Sequence, residues 1–172
     1  MQDYDFEKIK GFVNAYIETH YDPDSADDDF PQNRVQHSEE ENYLRAAPAI
    51  APIFKFKPEG ETFSKMLRRL ISESGEKNSD IYNRANITRQ HFSKIMNDDE
   101  YQPSKPTVLA FAIALKLGFE KTRELLASAG YVLTRNKYFD VIVAAFIESK
   151  MYDVDLINYT LHEYDQQLLG SF

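Results

Sequence analysis

The chain of 172 residues contains no cysteine, so it can form neither a disulfide nor a cysteine-based zinc site. Long hydrophobic runs are missing too. The longest apolar stretches fall far short of the roughly 20 residues that a membrane-spanning helix needs. The opening segment, MQDYDFEKIKGFVNAYIETHY, is acidic and has no unbroken apolar core, which argues against a secretory leader. These absences make a cytoplasmic protein that does not enter a membrane the default expectation. Glycine is sparse, and Gly60, Gly75, Gly118 and Gly130 stand too far apart to form a phosphate-cradling loop. His20, His37, His91 and His162 show no metal-ligand spacing. The segment DPDSADDD has the composition of a cation loop but lacks the glycine and terminal glutamate of an EF-hand. No serine or lysine sits in a nucleophile motif. Neither catalysis, a cofactor nor a metal is expected.

What is present is charge, unevenly placed. The formal net charge is −8. Residues 1–61 hold 6 Lys/Arg against 14 Asp/Glu, residues 62–117 hold 9 against 6, and residues 118–172 hold 5 against 8. The middle segment alone is net positive. A local basic face on an acidic protein can still meet phosphate, while the acidic flanks weaken non-specific binding.

Hydrophobic spacing predicts an all-α chain. Phe6, Ile9, Val13, Tyr16 and Ile17 fall at helical intervals, giving an N-terminal helix over about residues 1–20. Residues 21–61 read as a linker. Tyr21–Glu41 is acidic, poor in apolar residues and expected to be mobile. Pro48, Pro52 and Pro58 then interrupt any helix. From Thr62 the pattern is regular. Phe63, Met66, Leu67, Leu70 and Ile71 form one stripe, with Thr62 as cap and Gly75 as stop. Ser79 is the expected cap of a short helix, Asp80–Ala85. Asn86 marks a sharp turn, because Asn tolerates a left-handed backbone. Thr88 caps Arg89–Met96, and Ser104 caps a helix carrying Pro106 in its first turn, with Gly118 as its end. Glu120–Ala129 follows, stopped by Gly130. Tyr138–Lys150 is apolar on most faces, so Phe139, Val143, Phe146 and Ile147 belong either to a closed core or to a dimer contact. Asp153 or Asp155 caps the last helix. Residues 62–164 should thus form a bundle of about seven helices around Phe63, Leu67, Leu70, Ile81, Phe92, Ile95, Leu109, Ile113 and Leu117.

Within this bundle, a short helix, the turn Asn86-Ile87-Thr88, a second short helix opening with RQHFSKI, and the segment QPSKPTVLAFAIAL follow one another. The arrangement resembles the helix-turn-helix domain of the phage-repressor family (XRE, or Cro/C1 type) over about residues 62–126. Ile81, Ala85, Ile87, Phe92 and Ile95 match its apolar positions and Thr88 its cap. Tyr82 stands where that family carries a small alanine, so the two motif helices are expected to pack more openly. Asn97 and Asp98 replace its usual glutamate and glycine, and Asp98, Asp99 and Glu100 put acid beside the expected DNA face. Residues 62–170 as a whole also resemble a module at the C-terminal ends of several bacterial multi-domain proteins.

The resemblance implies a lambda-repressor-like domain over 62–130, with a C-terminal helical extension, 131–172, packed on it. It also implies a bacterial or phage-type transcriptional regulator that binds double-stranded DNA. Arg89, Gln90, His91, Ser93 and Lys94 would read bases, since Arg pairs bidentately with guanine and Gln with adenine. Lys65, Arg68, Arg69, Arg84, Thr88 and Lys105 would contact phosphates. Tyr101, Tyr131, Tyr138 and Tyr152 have the chemistry to stack on bases but fit a core or interface better. A homodimer would suit two half-sites. The rival reading is an antitoxin-like or adaptor module that binds protein on the same scaffold, with the acidic N-terminal arm meeting a basic partner.

Overall fold

The structure, a computed structural model, describes residues 5–25 and 60–170. Among these residues every regular element is a helix. In chain order they are α1 (Phe6–His20), α2 (Phe63–Ser74), α3 (Asn78–Arg84), α4 (Arg89–Asn97), α5 (Lys105–Ala114), α6 (Phe119–Ser128), α7 (Tyr138–Glu148) and α8 (Val154–Glu163). None is long and apolar enough to cross a membrane.

Local chemistry explains most boundaries. Gly75 ends α2 at φ 67, a left-handed conformation that costs glycine little. Asn86 takes φ 53 in the turn between α3 and α4. The Thr88 hydroxyl accepts from the His91 amide, and Ser104 accepts from Thr107, so each satisfies an otherwise orphan N–H. The Asp153 carboxylate caps α8 through the amides of Asp155 and Leu156. Several boundaries differ from expectation, and α7 ends at Glu148 instead of Lys150. Lys77, not Ser79, occupies the N-cap of α3, and Ser79 lies in its first turn, where its hydroxyl meets Asp80. The helix after Ser104 ends at Ala114, and Lys116 takes the left-handed conformation at φ 53. Gly118 instead starts α6 in extended geometry.

All eight helices share one hydrophobic core, which contains Val13 and Tyr16 of α1 and all nine of the expected core residues from Phe63 to Leu117. Helix α7 is buried along most of its length. Every residue from Phe139 to Ile147 is buried, with Phe146 at 0% exposure. Three neighbours enclose it: α1, α6 and α8. Phe139, Val143, Phe146 and Ile147 are therefore core residues of a single chain, because α1 returns to cover the face that sequence left open.

The N-terminal helix is thus part of the bundle. The Arg135 guanidinium donates to the His20 carbonyl at 2.9 Å, the Asp22 amide donates to the Arg135 carbonyl at 3.0 Å, and Tyr21 stacks on Tyr138 at 4.3 Å. The segment 21–25, expected to be mobile, is docked by these contacts. Residues 26–59, which hold the rest of the expected linker and the acidic arm, lie outside the described residues.

The chain around Leu169–Gly170 returns to the α3–α4 turn. Asn158 pairs both ways with Leu169, donating to its carbonyl at 3.1 Å and accepting from its amide at 2.7 Å. Gly170, at φ 106, lies so close to the turn that a Cβ would come 2.9 Å from the Asn86 carbonyl oxygen. The Asn86 side chain donates to Asp155 at 2.8 Å. The C-terminal helices therefore brace the turn that sets α4.

Candidate nucleic-acid interface

Helix α4 is held by one face. Ile95 is fully buried and Phe92 nearly so, and the Phe92 ring lies 6.1 Å from Phe111 and 5.2 Å from Tyr82. Tyr82 is accommodated by this tilted contact. The opposite face presents Arg89, Gln90, Ser93 and Lys94 to solvent, while His91 is half-buried. Arg89 and Gln90, in the first turn, make no hydrogen bond or ion pair among the described residues. Ser93 is engaged locally: the Asn97 amide donates to its carbonyl at 2.8 Å and to its hydroxyl at 3.2 Å. Thr88 serves as the cap of the helix. Four of the five expected base-reading residues thus share one exposed face.

The expected phosphate contacts are differently placed. Arg69 lies between Glu61 at 2.8 Å and Glu73 at 3.1 Å, and hydrogen bonds to these carboxylates hold its proton more tightly than usual. Arg84 meets Glu76 at 2.6 Å and donates to the Ala114 carbonyl at 2.8 Å. The hydrogen bond from Arg84 to Glu76 holds the Glu76 carboxyl below its ordinary pKa. Arg68 reaches Asp99 and also donates to the Met96 carbonyl at 2.7 Å, in the last turn of α4, while Lys65 approaches Asp99 at 3.6 Å. The Arg68 hydrogen bond, more than the added Lys65 charge, depresses the Asp99 pKa. These pairs are solvent-exposed, and exposed ion pairs are weak and screened by salt, so each cation can exchange its carboxylate for another anion.

Lys105 is a different case. Its ammonium lies 2.6 Å from Asp140, a carboxylate with 0% exposure, whose same oxygen accepts from the Thr134 amide and hydroxyl at 2.8 Å. The pair ties α5 to the start of α7. Lys105 is turned toward the core, not toward a phosphate. Sequence spacing gave no warning, because the partner lies 35 residues away in the chain.

Two features were not legible in the sequence. Lys77 is exposed at the N-cap of α3, with no ion-pair partner among the described residues. Its position just before the first motif helix was the available signal. The second is a cluster beside α4. The Tyr101 hydroxyl lies 2.8 Å from His91 Nε2, their rings meet edge-on at 5.8 Å, and Lys94 Nζ sits 5.3 Å from the centre of the Tyr101 ring. Burial, then the nearby Lys94 charge, pushes the His91 pKa below its ordinary value. Of the other tyrosines, Tyr131 donates to the Pro103 carbonyl and Tyr138 stacks on Tyr21, so both serve packing. No group of His, Asp and Glu among the described residues is arranged to hold a metal ion.

No known family model, curated protein or solved structure matches the chain.

Proposed function

We propose that this chain is a sequence-specific reader of double-stranded DNA, a cytoplasmic transcriptional regulator of bacterial or phage type built on a repressor-like helix-turn-helix. The observation that carries the reading is the first turn of α4. Arg89 and Gln90 are exposed and uncommitted there, on a helix whose other face is locked by Phe92 and Ile95. A recognition helix needs this combination, since its N-terminal residues must reach base edges from a rigid support. Arg89 suits guanine and Gln90 suits adenine, with His91 beside them in the first turn and Ser93 and Lys94 one turn further along. Lys65, Arg68, Arg69 and Arg84 would trade exposed carboxylates for phosphates, joined by Lys77. That exchange is favoured by release of the counterions condensed on DNA. The formal net charge of −8 disfavours non-specific association, so discrimination must come from base contacts.

One observation favours a second reading, a protein-binding adaptor. Lys65, Arg68, Arg69 and Arg84 each already carry a carboxylate of the same chain. A surface so neutralised suits a polar protein partner, for which Arg89 and Gln90 would be contact residues. A DNA-bound dimer would need a surface other than α7, which is enclosed.

Selection of bound sequences from random duplex DNA at two salt concentrations tests the proposal. The expected result is one enriched motif, with affinity falling steeply as salt rises. Absence of salt-dependent binding to any duplex at low ionic strength would overturn it in favour of the adaptor.

A further inference from the structure

The acidic loop after α4, residues 98–104, looks at first like a barrier to an anion. Its contacts give it another role. Before any DNA is bound, Asp99 is held by Arg68 and Lys65 from α2. The Asp98 carboxylate accepts from the Glu100 amide at 3.0 Å, and the Asp98 carbonyl accepts from the Tyr101 amide at 3.2 Å. Gln102 donates to the Ala129 carbonyl at 2.6 Å, and the Pro103 carbonyl accepts from Tyr131 at 2.9 Å. A loop fastened at both ends holds the side chain at its middle, Tyr101, which is half-buried against the core.

Tyr101 in turn meets His91 and Lys94, which lie three positions apart and therefore on one side of α4. An ammonium over an aromatic face is attracted by the ring quadrupole, and a hydroxyl bonded to an imidazole nitrogen holds the ring's orientation. Free lysine and histidine side chains would sample several rotamers, and ordering them costs entropy on binding.

We propose that Tyr101 is a positioning residue of the reading surface, and that the anchored acidic loop exists to present it. The tyrosine sets the direction of Lys94 and the orientation of His91 before any ligand arrives. It thereby decides base preference at the positions these two residues meet. This inference rests on the reading of α4 as a DNA-recognition helix and adds to it a residue outside that helix.

The test uses the full chain with two substitutions. Tyr101→Phe keeps the ring under Lys94 and removes only the hydroxyl. Tyr101→Leu removes both. Each is scored by melting temperature, by the imidazole nitrogen resonances of His91 in the free protein, and by base preference across a duplex library. Tyr101→Phe should move the His91 resonances and relax preference at one position, with unchanged melting and an unchanged salt slope. Tyr101→Leu should relax a second, neighbouring position and weaken the preferred duplex roughly 2- to 5-fold. An unchanged His91 spectrum in Tyr101→Phe, or an unchanged preference profile in both variants, overturns the proposal. If the wild type binds no duplex, the DNA reading fails. The His91 spectrum then still decides whether Tyr101 sets this surface.

Discussion

Helices α4 and α7 are near in length and opposite in exposure. Helix α4 rests on two buried residues, Phe92 and Ile95, and turns Arg89, Gln90, Ser93 and Lys94 outward. Helix α7 buries nine consecutive residues, Asp140 among them. One helix is held by a single face and offers the other; the second is enclosed except at its ends, Tyr138 and Glu148. Two lysines repeat the contrast. Lys94 lies exposed over an aromatic ring, whereas Lys105 is committed to a carboxylate without solvent contact. A positive charge in a basic segment indicates a binding surface only where packing leaves it outside.

The comparison can be broken first at the core. Phe146→Ala in α7 should cost about 3–5 kcal/mol, the toll of a large emptied site. Chemical denaturation measures it, and a loss under about 1 kcal/mol would mean that α7 is not tightly packed. Next, Lys105→Ala should destabilise by about 3 kcal/mol, because it strands Asp140 without its counter-charge. Lys105→Ala combined with Asp140→Ala should recover part of that loss, whereas a fully additive loss would show the pair to be uncoupled.

Helix α4 should respond in the opposite sense. Arg89→Ala or Gln90→Ala should change folding stability by less than about 0.5 kcal/mol, as exposed positions do, yet cost about 1–3 kcal/mol of specific DNA binding. Equal weakening on every duplex would instead assign the residue to phosphate.

A smaller effect concerns pH. The folded-state pKa of His91 lies below the ordinary 6.5, with burial first and Lys94 second as causes. The unfolded chain then binds more protons than the folded one below that value. This contribution to stability is intact above pH 6.5 and lost as pH falls through the folded pKa. Wild type should therefore lose more stability than His91→Gln between neutral pH and about pH 5. Parallel curves would place His91 in water. Smallest of all, Arg69→Gln should barely move the melting temperature, while the salt dependence of DNA binding should flatten by about one phosphate contact. An unaltered slope would leave Arg69 to its two glutamates.

How much was legible follows from how far each cause acts along the chain. Gly75, Asn86, Thr88, Ser104 and Gly130 announced their turns and caps because those conformations are settled within four or five residues. The error at Ser79 is of the same range: Lys77 and Asn78 begin the helix two residues earlier, and a serine inside the first turn mimics a cap. Gly118 misled because glycine serves an extended N-cap as readily as a stop. The outward set on α4 followed from two inward anchors, since fixing Phe92 and Ile95 fixes the phase of a helix.

By itself, the sequence determined the helical class, the order of the helices, nine core residues from Phe63 to Leu117 and the polar face of α4, all of which depend on period and local capping. Only the tertiary structure decided which charges remain outside. Asp140 reaches Lys105 across 35 positions, Asp99 reaches Arg68 across 31, and α1 returns to close the last face of α7. The physical reason is range. Periodicity and capping are settled between neighbours in sequence, whereas ion pairing and burial are settled between neighbours in space, which chain position alone does not specify.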